Sequence, residues 1–100
     1  MFDVLVIGAG TSGCVLAGCL VEAGLRVALI EAGPGDCSPL ISNPQCGQRA
    51  LSSGLNWSYE TQPQPFMAQR RRRLDRARVV GGCSSVNSLV YVRGHGADYD

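Results

Sequence analysis

Lysine is absent from this 100-residue sequence, and all nine of its basic residues are arginine. Eight acidic residues nearly balance them, so the formal net charge is +1, and no overall field would attract nucleic acid or an anionic membrane. The sequence also lacks an apolar run of the roughly 20 residues that a membrane-spanning helix needs. No basic segment leads into a signal-like apolar stretch. We therefore expect no nucleic-acid partner and no membrane span.

Paired metal-binding cysteines are missing as well. With one histidine, His95, and no CxxC pair, the sequence does not predict a zinc site. An odd number of cysteines without a secretory leader is typical of reduced thiols, so we expect a cytoplasmic protein. The five cysteines are Cys14, Cys19, Cys37, Cys46 and Cys83.

Glycine is the residue in excess. Of the thirteen glycines, seven cluster within residues 8–13, 33–35 and 81–82. Because glycine costs conformational entropy without adding side-chain contacts, such clusters suggest that the backbone approaches another group closely. The rest of the composition, 45% apolar and 17% charged, is that of a globular protein, and the length suits one small domain.

The first thirty residues have the pattern of a strand, a helix and a second strand. Residues 4–7 and 27–30 are β-branched apolar runs, typical of parallel strands that are buried on both faces. Between them apolar residues recur at helical spacing, and Gly24 stands where a glycine after a helix end is expected. We predict an α/β fold with a Rossmann-like βαβ unit over residues 3–31.

Gly8, Gly10 and Gly13 form a GxGxxG motif between the first predicted strand and the helix. In such a motif the three glycines permit a tight turn, close approach to a pyrophosphate, and close packing of helix on strand. The free N–H groups and dipole of the helix N-terminus then favour the phosphates. Glu31 closes the second strand, where an acid accepts hydrogen bonds from ribose hydroxyls and disfavours a 2′-phosphate. The pattern predicts a dinucleotide site and leaves flavin and nicotinamide both open.

Residues 32–77 lose this periodicity, and we expect a long irregular excursion there. Residues 57–61 alternate in polarity and could form a strand. Residues 62–77 are polar and rich in arginine, so we expect a surface loop. The four consecutive arginines at residues 70–73 are interpreted as solvated, although such a run can also bind phosphate.

Residues 78–100 carry a second glycine-rich motif. The segment begins Arg-Val-Val-Gly-Gly-Cys-Ser-Ser-Val-Asn and ends Tyr-Val-Arg-Gly-His-Gly-Ala-Asp-Tyr-Asp. Its apolar residues 89–92 could be helix or strand. The segment closely resembles the first signature of the glucose–methanol–choline (GMC) oxidoreductases. Residues 3–34 are similar to that family's FAD-binding start, and residues 56–59 to its aromatic segment, so the resemblance covers nearly the whole chain.

The resemblance implies an FAD enzyme that oxidises small-molecule alcohols and is built from an FAD-binding domain and a substrate domain. This chain would be the N-terminal fragment of such a two-domain flavoenzyme. Its residues 1–100 would form a partial FAD-binding domain, with a flavin-wrapping segment at residues 78–100. The substrate domain would belong to the remainder of its own chain.

Carried onto this sequence, the family pattern implies two groups of cofactor-binding residues. The pyrophosphate and adenosine ribose would be bound by Gly8, Gly10, Thr11, Ser12, Gly13, Glu31 and Ala32. The flavin would be contacted by Gly82, Cys83, Asn87, Ser88, Leu89 and Val90. The resemblance implies no metal ligand and no catalytic residue in this chain, because the family's catalytic histidine lies near the C-terminus of the whole enzyme. His95 is therefore interpreted as a structural loop residue.

Several residues refine this interpretation. Val86 stands where covalently flavinylated members carry histidine, and valine has no nucleophile, so the FAD should be noncovalent. Cys83 replaces the usual serine or glycine, as in choline-oxidising relatives. It is interpreted as a small residue that fills a tight loop rather than as a reactive thiol. Trp57 and Tyr59 are interpreted as packing aromatics.

Two alternatives stay open. The chain could be a truncated, noncatalytic fragment or a pseudogene product with weak nucleotide affinity. A nicotinamide-dependent Rossmann dehydrogenase would account for residues 3–31 but would leave the second glycine motif unexplained.

Overall fold

The structure is a computed structural model that describes residues 1–99 of the chain. Its first unit consists of strand β1 (Val4–Ile7), helix α1 (Thr11–Glu22) and strand β2 (Val27–Ile30). The two strands pair in parallel, with Val4 opposite Val27. The α/β fold and the βαβ unit that the hydrophobic pattern predicts are confirmed.

The end of α1 has the predicted glycine. Gly24 has a φ of +85°, a left-handed conformation that glycine adopts without a Cβ clash. Its N–H donates to the Val21 carbonyl at 2.9 Å, and the N–H of Leu25 donates to the Leu20 carbonyl at 3.1 Å. These are the two hydrogen bonds of a Schellman cap, which satisfies carbonyls at the helix end and turns the chain into β2.

The prediction that both strands are buried on both faces is wrong for this chain. On β1 only Val6 is buried and Ile7 is 82% exposed, while Ile30 of β2 is 51% exposed. Apolar β-branched runs are typical of central strands, but their burial depends on the layers that pack on each face. A two-stranded sheet with one packed helix has too few neighbours to cover both faces.

The first part of the predicted irregular excursion is partly helical. It contains two short helices, α2 (Pro39–Ser42) and α3 (Gly47–Leu51), joined by a 3-10 turn at Pro44–Cys46. Ser38 and Asn43, each followed by proline, start the first helix and the turn as N-caps. These elements are too short to show the apolar repeat from which a helix is predicted, which explains why the sequence pattern missed them.

A small core joins segments that are far apart in the sequence. Ala50 of α3 and Val79 are fully buried, and Ala77 and Val86 are buried beside them. The predicted excursion and the predicted flavin-wrapping segment therefore share one core and are not independent loops.

Residues 62–77 were predicted to be a surface loop, but they contain the tip and the second arm of a β-hairpin. Strand β3 (Tyr59–Glu60) pairs antiparallel with strand β4 (Arg73–Leu74). The pairing uses backbone groups, so it needs no apolar alternation in the arginine-rich arm, and the sequence pattern did not indicate it. The strand that was predicted over residues 57–61 is present at two of its five positions.

We call residues 56–77 the arginine hairpin. Two isolated bridges extend its ladder beyond β3 and β4, and they pair Asn56 with Ala77 at the base and Gln64 with Arg70 near the tip. The hairpin is thus a continuous two-stranded arm that stands on the core.

Asn56 holds the base of the arginine hairpin. Its amide nitrogen donates to the Leu51 carbonyl at 2.8 Å and to the Asp75 carboxylate at 2.6 Å. Its oxygen accepts hydrogen bonds from the backbone N–H groups of Ser58 at 3.0 Å and Arg76 at 2.9 Å. The Asn56 side chain is buried, and these bonds satisfy all of its donors and acceptors. The hydrogen bond from Asn56, supported by a neighbouring arginine, lowers the pKa of Asp75 below its ordinary range.

The chain has little regular structure after a 3-10 turn at Gly82–Ser85. Residues 89–92, for which helix and strand both stayed open, form neither and are exposed. A last 3-10 turn spans Gly96–Asp98, and Asp100, the end of the second motif, lies outside the described residues. Within residues 1–99 no helix has the length and apolar character needed to cross a bilayer.

Candidate functional site

The two glycine motifs lie against each other. The N–H of Gly81 donates to the Ala9 carbonyl at 2.7 Å, and Gly10 and Gly81 form a parallel bridge. A Cβ on Gly82 would lie 2.9 Å from the Gly10 Cα, closer than real side chains approach a backbone atom. The fold therefore joins the two motifs, which lie in opposite halves of the sequence, into one surface at the start of α1.

The three glycines of the first motif differ in their steric surroundings, and each position favours glycine for a different reason. Gly8 has a φ of +96°, in the left-handed region that favours glycine. A Cβ on Gly13 would lie 1.9 Å from the Gly8 carbonyl oxygen, so α1 can pack on the end of β1 only with glycine there. A Cβ on Gly10 would meet no atom within 4 Å, so the space in front of Gly10 is open to a ligand.

The first turn of α1 presents unpaired donors. Gly10 is the N-cap, it makes no side-chain cap bond, and the turn contains no acidic residue. In the part of the chain that the structure describes, the backbone N–H groups of Thr11, Ser12 and Gly13 donate no hydrogen bond. Such groups and the positive end of the helix dipole together favour an anion.

Glu31 connects the end of β2 with the glycine turn. One carboxylate oxygen accepts a hydrogen bond from the Ala9 N–H and the other from the Gly33 N–H, both at 2.9 Å. Ala9 is almost completely buried, and its carbonyl accepts the hydrogen bond from Gly81. The carboxylate is thus anchored to the backbone of the first motif and of the residues that follow β2, and its oxygens keep further lone pairs that can accept bonds from a ribose. Ala32, which follows it, is exposed.

The loop of the second motif is exposed beside a cleft. Asn87 and Leu89 line this cleft of about 360 Å³, opposite residues of α2, α3 and the turn between them. The Asn87 side-chain oxygen accepts a hydrogen bond from the Leu89 N–H at 3.0 Å. Its amide nitrogen makes no bond within residues 1–99 and is available to a ligand. Cys83, a free thiol, and Ser88 and Val90 are exposed in the same loop.

Val86 and His95, which the sequence analysis singled out, both have structural surroundings. Val86 is buried in the core, next to Ala50. His95 caps the 3-10 turn that begins at Gly96, because its Nδ1 accepts from the Ala97 N–H at 3.2 Å and its own N–H donates to Asp98 at 2.8 Å. These bonds agree with the interpretation of His95 as a structural loop residue. Among residues 1–99, no group of three or more potential metal ligands is placed to hold an ion.

Sequence reasoning noted the glycine cluster at residues 33–35 but did not place Gly33 at the site, where it lets the end of β2 approach the second motif. A Cβ on Gly33 would lie 2.1 Å from the Arg78 carbonyl oxygen, and the next residue, Pro34, accepts a hydrogen bond from the Val80 N–H at 3.0 Å. The glycine two positions after Glu31 was the available signal, but its partner segment could not be identified from spacing.

A stacked row of side chains stands at the base of the arginine hairpin. The rings of Trp57 and Tyr59 are nearly parallel, with centroids 5.9 Å apart, and the Arg78 guanidinium lies 5.5 Å from the Trp57 ring. Both rings are about half exposed. They pack against each other and against arginine, in agreement with the interpretation that they are packing aromatics.

Comparison with known proteins gives one consistent family. The family model described as GMC oxidoreductase matches residues 2–100. The chain is 45% identical over 102 residues to an alcohol dehydrogenase [acceptor] of Pseudomonas putida. It is 44% identical over 105 residues to an oxygen-dependent choline dehydrogenase of Photobacterium profundum, and 44% identical over 110 residues to a mitochondrial choline dehydrogenase of Mus musculus. Each match covers 99% of this chain but only 18% of the relative.

Solved structures show the same similarity in three dimensions. Pyridoxine 4-oxidase from Mesorbium loti superposes with a TM-score of 0.84 at 35% identity, and formate oxidase with 0.82 at 33%. Both cover 99% of this chain, which spans 20% and 18% of theirs.

Proposed function

This chain belongs to the GMC oxidoreductase family, and from that premise we propose that it is the FAD-binding amino-terminal part of an enzyme that oxidises a small alcohol. The observation that carries the proposal is the contact between the two glycine motifs at Gly10 and Gly81. A nicotinamide-binding Rossmann unit needs only the first motif. Here the second motif is part of the same surface, which favours the flavin over the nicotinamide.

The pyrophosphate would lie against Gly10 and the first turn of α1. Gly10 leaves open space for close approach, and the N–H groups of Thr11, Ser12 and Gly13 are the unpaired donors that an anion requires. The adenosine ribose would lie at Glu31, whose carboxylate is held in place by two backbone N–H groups.

The flavin end would be contacted by the loop that follows the second motif. Gly82 brings this loop against Gly10, and Cys83 and Ser88 to Val90 are exposed on it. The free amide nitrogen of Asn87 can donate to a polar edge of the ring. The neighbouring cleft, lined by Asn87 and Leu89, leaves room beside this edge.

FAD, when bound, would supply the redox chemistry as the acceptor of a hydride from the alcohol carbon. The residues of this chain bind and orient it. A base must take the hydroxyl proton, but the one histidine here, His95, caps a 3-10 turn through its Nδ1 and is not among the residues proposed to contact FAD. We therefore propose that the base belongs to the remainder of the whole protein.

The natural-length protein, purified without added nucleotide, should show flavin absorbance. Because Val86 has no nucleophilic group and is packed in the core, the flavin should be noncovalent. The yellow colour should therefore stay in the supernatant when the protein is precipitated in acid. Colour in the pellet would contradict the noncovalent attachment but not the proposed function. A colourless protein would contradict the proposed function itself.

Replacing Gly10 with alanine should weaken FAD binding without destabilising the apoprotein. The new Cβ meets no protein atom within 4 Å, so the clash is with the ligand alone. Loss of one or two charge-assisted hydrogen bonds to the pyrophosphate should raise the Kd about ten- to a hundredfold. Fluorescence titration with FAD measures the Kd, and circular dichroism checks the apoprotein.

A matched control is Gly54→Ala, since a Cβ on Gly54 also meets no atom within 4 Å and Gly54 is not among the residues proposed to contact FAD. It should leave the Kd unchanged. Equal FAD affinity in the Gly10 variant and the wild type would show that the pyrophosphate does not lie against Gly10.

A further inference from the structure

Charge is strongly segregated in this chain, although its net value is small. The arginine hairpin holds five of the nine arginines and two of the eight acidic residues. The other residues hold four arginines and six acids, so the hairpin is cationic and the rest is anionic. A net charge of +1 therefore describes neither part.

Most of this positive charge lies close to the hairpin tip. Arg70, Arg71, Arg72 and Arg73 are all exposed. Arg73 is paired with a neighbouring aspartate, and Arg70 donates to the backbone of the tip turn at 2.9 Å. Within the described residues, the side chains of Arg71 and Arg72 make no hydrogen bond and no ion pair. Two guanidinium groups are therefore free to bind an external anion.

The tip itself carries no charge. Residues 62–69 contain neither acid nor base, and the 3-10 turn Pro65–Met67 presents Phe66 with its side chain completely exposed. Going from the tip towards the base, the first acidic residue is Glu60, which is opposite Arg73 in the ladder. An apolar tip is thus followed by a cationic zone, and acids appear only behind it.

We infer that the end of the arginine hairpin docks on an anionic lipid bilayer, with Phe66 in the interfacial layer and the arginines on lipid phosphates. Aromatic and basic residues are those that interfacial binding uses, and basic segments add attraction to anionic leaflets. Successive side chains of an extended segment point to opposite faces, so Arg71 and Arg72 present charge on both faces of the hairpin. When the hairpin enters a bilayer tip first, both of its faces contact lipid headgroups. An acidic protein surface would contact only one face.

The natural-length, flavin-loaded protein should sediment with phosphatidylcholine vesicles that contain phosphatidylserine, and not with phosphatidylcholine alone. Added salt should release it, because exposed charges are screened. The double variant R71Q/R72Q should bind about thirtyfold more weakly, since each basic residue near an anionic surface contributes about fivefold. F66S should bind the vesicles about tenfold more weakly, because the apolar contact of Phe66 with the bilayer is lost.

The matched control compares R71Q with R49Q, which removes one exposed charge from α3 instead. R71Q should weaken binding about fivefold and R49Q should not. The ratio of flavin to protein absorbance should be unchanged in every variant, which shows that each has folded and keeps this test separate from the proposed function. The inference is overturned if phosphatidylserine does not increase vesicle binding of the wild-type protein. It is also overturned if R49Q weakens vesicle binding as much as R71Q does, or if F66S binds the vesicles as tightly as the wild type. Retention on polyglutamate without vesicle binding would also overturn it, in favour of an acidic protein partner.

Discussion

Replacing Gly13 with alanine should abolish flavin retention and destabilise the protein. The added Cβ would lie 1.9 Å from the Gly8 carbonyl oxygen and 3.1 Å from its carbon. Because both are backbone atoms at the end of β1, the clash is relieved only if α1 moves away from the strand. Overpacking of this kind costs about 1–3 kcal/mol, occasionally more. The shift would also move Gly10 away from Gly82 and so separate the two motifs.

Gly18→Ala is the matched control for this experiment, because it places the same methyl group in the same helix. The Cβ at Gly18 has no neighbour within 4 Å, and alanine in a helix interior is about 0.5–1 kcal/mol more favourable than glycine. The melting temperature should therefore rise slightly in Gly18→Ala and fall in Gly13→Ala, with flavin absorbance lost only in the second. Normal flavin content in Gly13→Ala would show that the helix–strand contact is not needed for the site.

Replacing Asn56 with alanine is expected to have the second largest effect, on stability. The change removes four hydrogen bonds at the base of the arginine hairpin and leaves the N–H groups of Ser58 and Arg76 without their partner, while the Leu51 carbonyl keeps only the hydrogen bond from Arg73. Unsatisfied groups and the loss of a buried polar network together should cost roughly 2–4 kcal/mol in the free energy of unfolding. Chemical denaturation of the natural-length protein, followed by circular dichroism, measures this loss.

The effect of Asn56→Ala should also depend on pH. In the wild type the Asn56 amide, more than any other group, lowers the pKa of Asp75. A depressed carboxyl pKa stabilises the fold above the unfolded value, near 3.9, and this stability is lost as pH falls through the folded value. The variant has less of this stability to lose, so the difference in unfolding free energy between it and the wild type should narrow below about pH 4.

Asn43→Ala is the matched control. It removes one exposed N-cap bond and should lower the free energy of unfolding by only about 1 kcal/mol. A constant difference for Asn56→Ala down to pH 3 would contradict the role of Asn56 in the Asp75 pKa.

The βαβ unit and the glycine motifs were predictable because their signals are local. A β-branched run, a helical repeat and a glycine at the helix end each depend on backbone preferences within a few residues. The structure confirms this unit, including the positive φ of Gly24. The structure also shows why residue 13 must be glycine, because a Cβ there would clash with the Gly8 carbonyl a few residues away. The roles of these residues towards FAD stay predictions, as do those of Cys83, Asn87 and the residues that follow.

The errors fall where structure depends on distant partners. The second arm of the arginine hairpin was predicted to be loop because its sequence lacks apolar alternation, yet its backbone pairs with β3. The strands β1 and β2 were predicted to be buried, and their exposure depends on layers that a hydrophobic run does not specify.

The sequence by itself therefore determined the first supersecondary unit, the turn chemistry at its glycines, and the family to which the chain belongs. Only the tertiary structure decided that Gly10 lies on Gly81, that Glu31 is bound to the backbone of Ala9, and that Asn56 carries the base of the hairpin. The physical reason is the range of the interactions. Backbone conformation is set by neighbours along the chain, whereas these contacts join segments that only the packed fold brings within hydrogen-bonding distance.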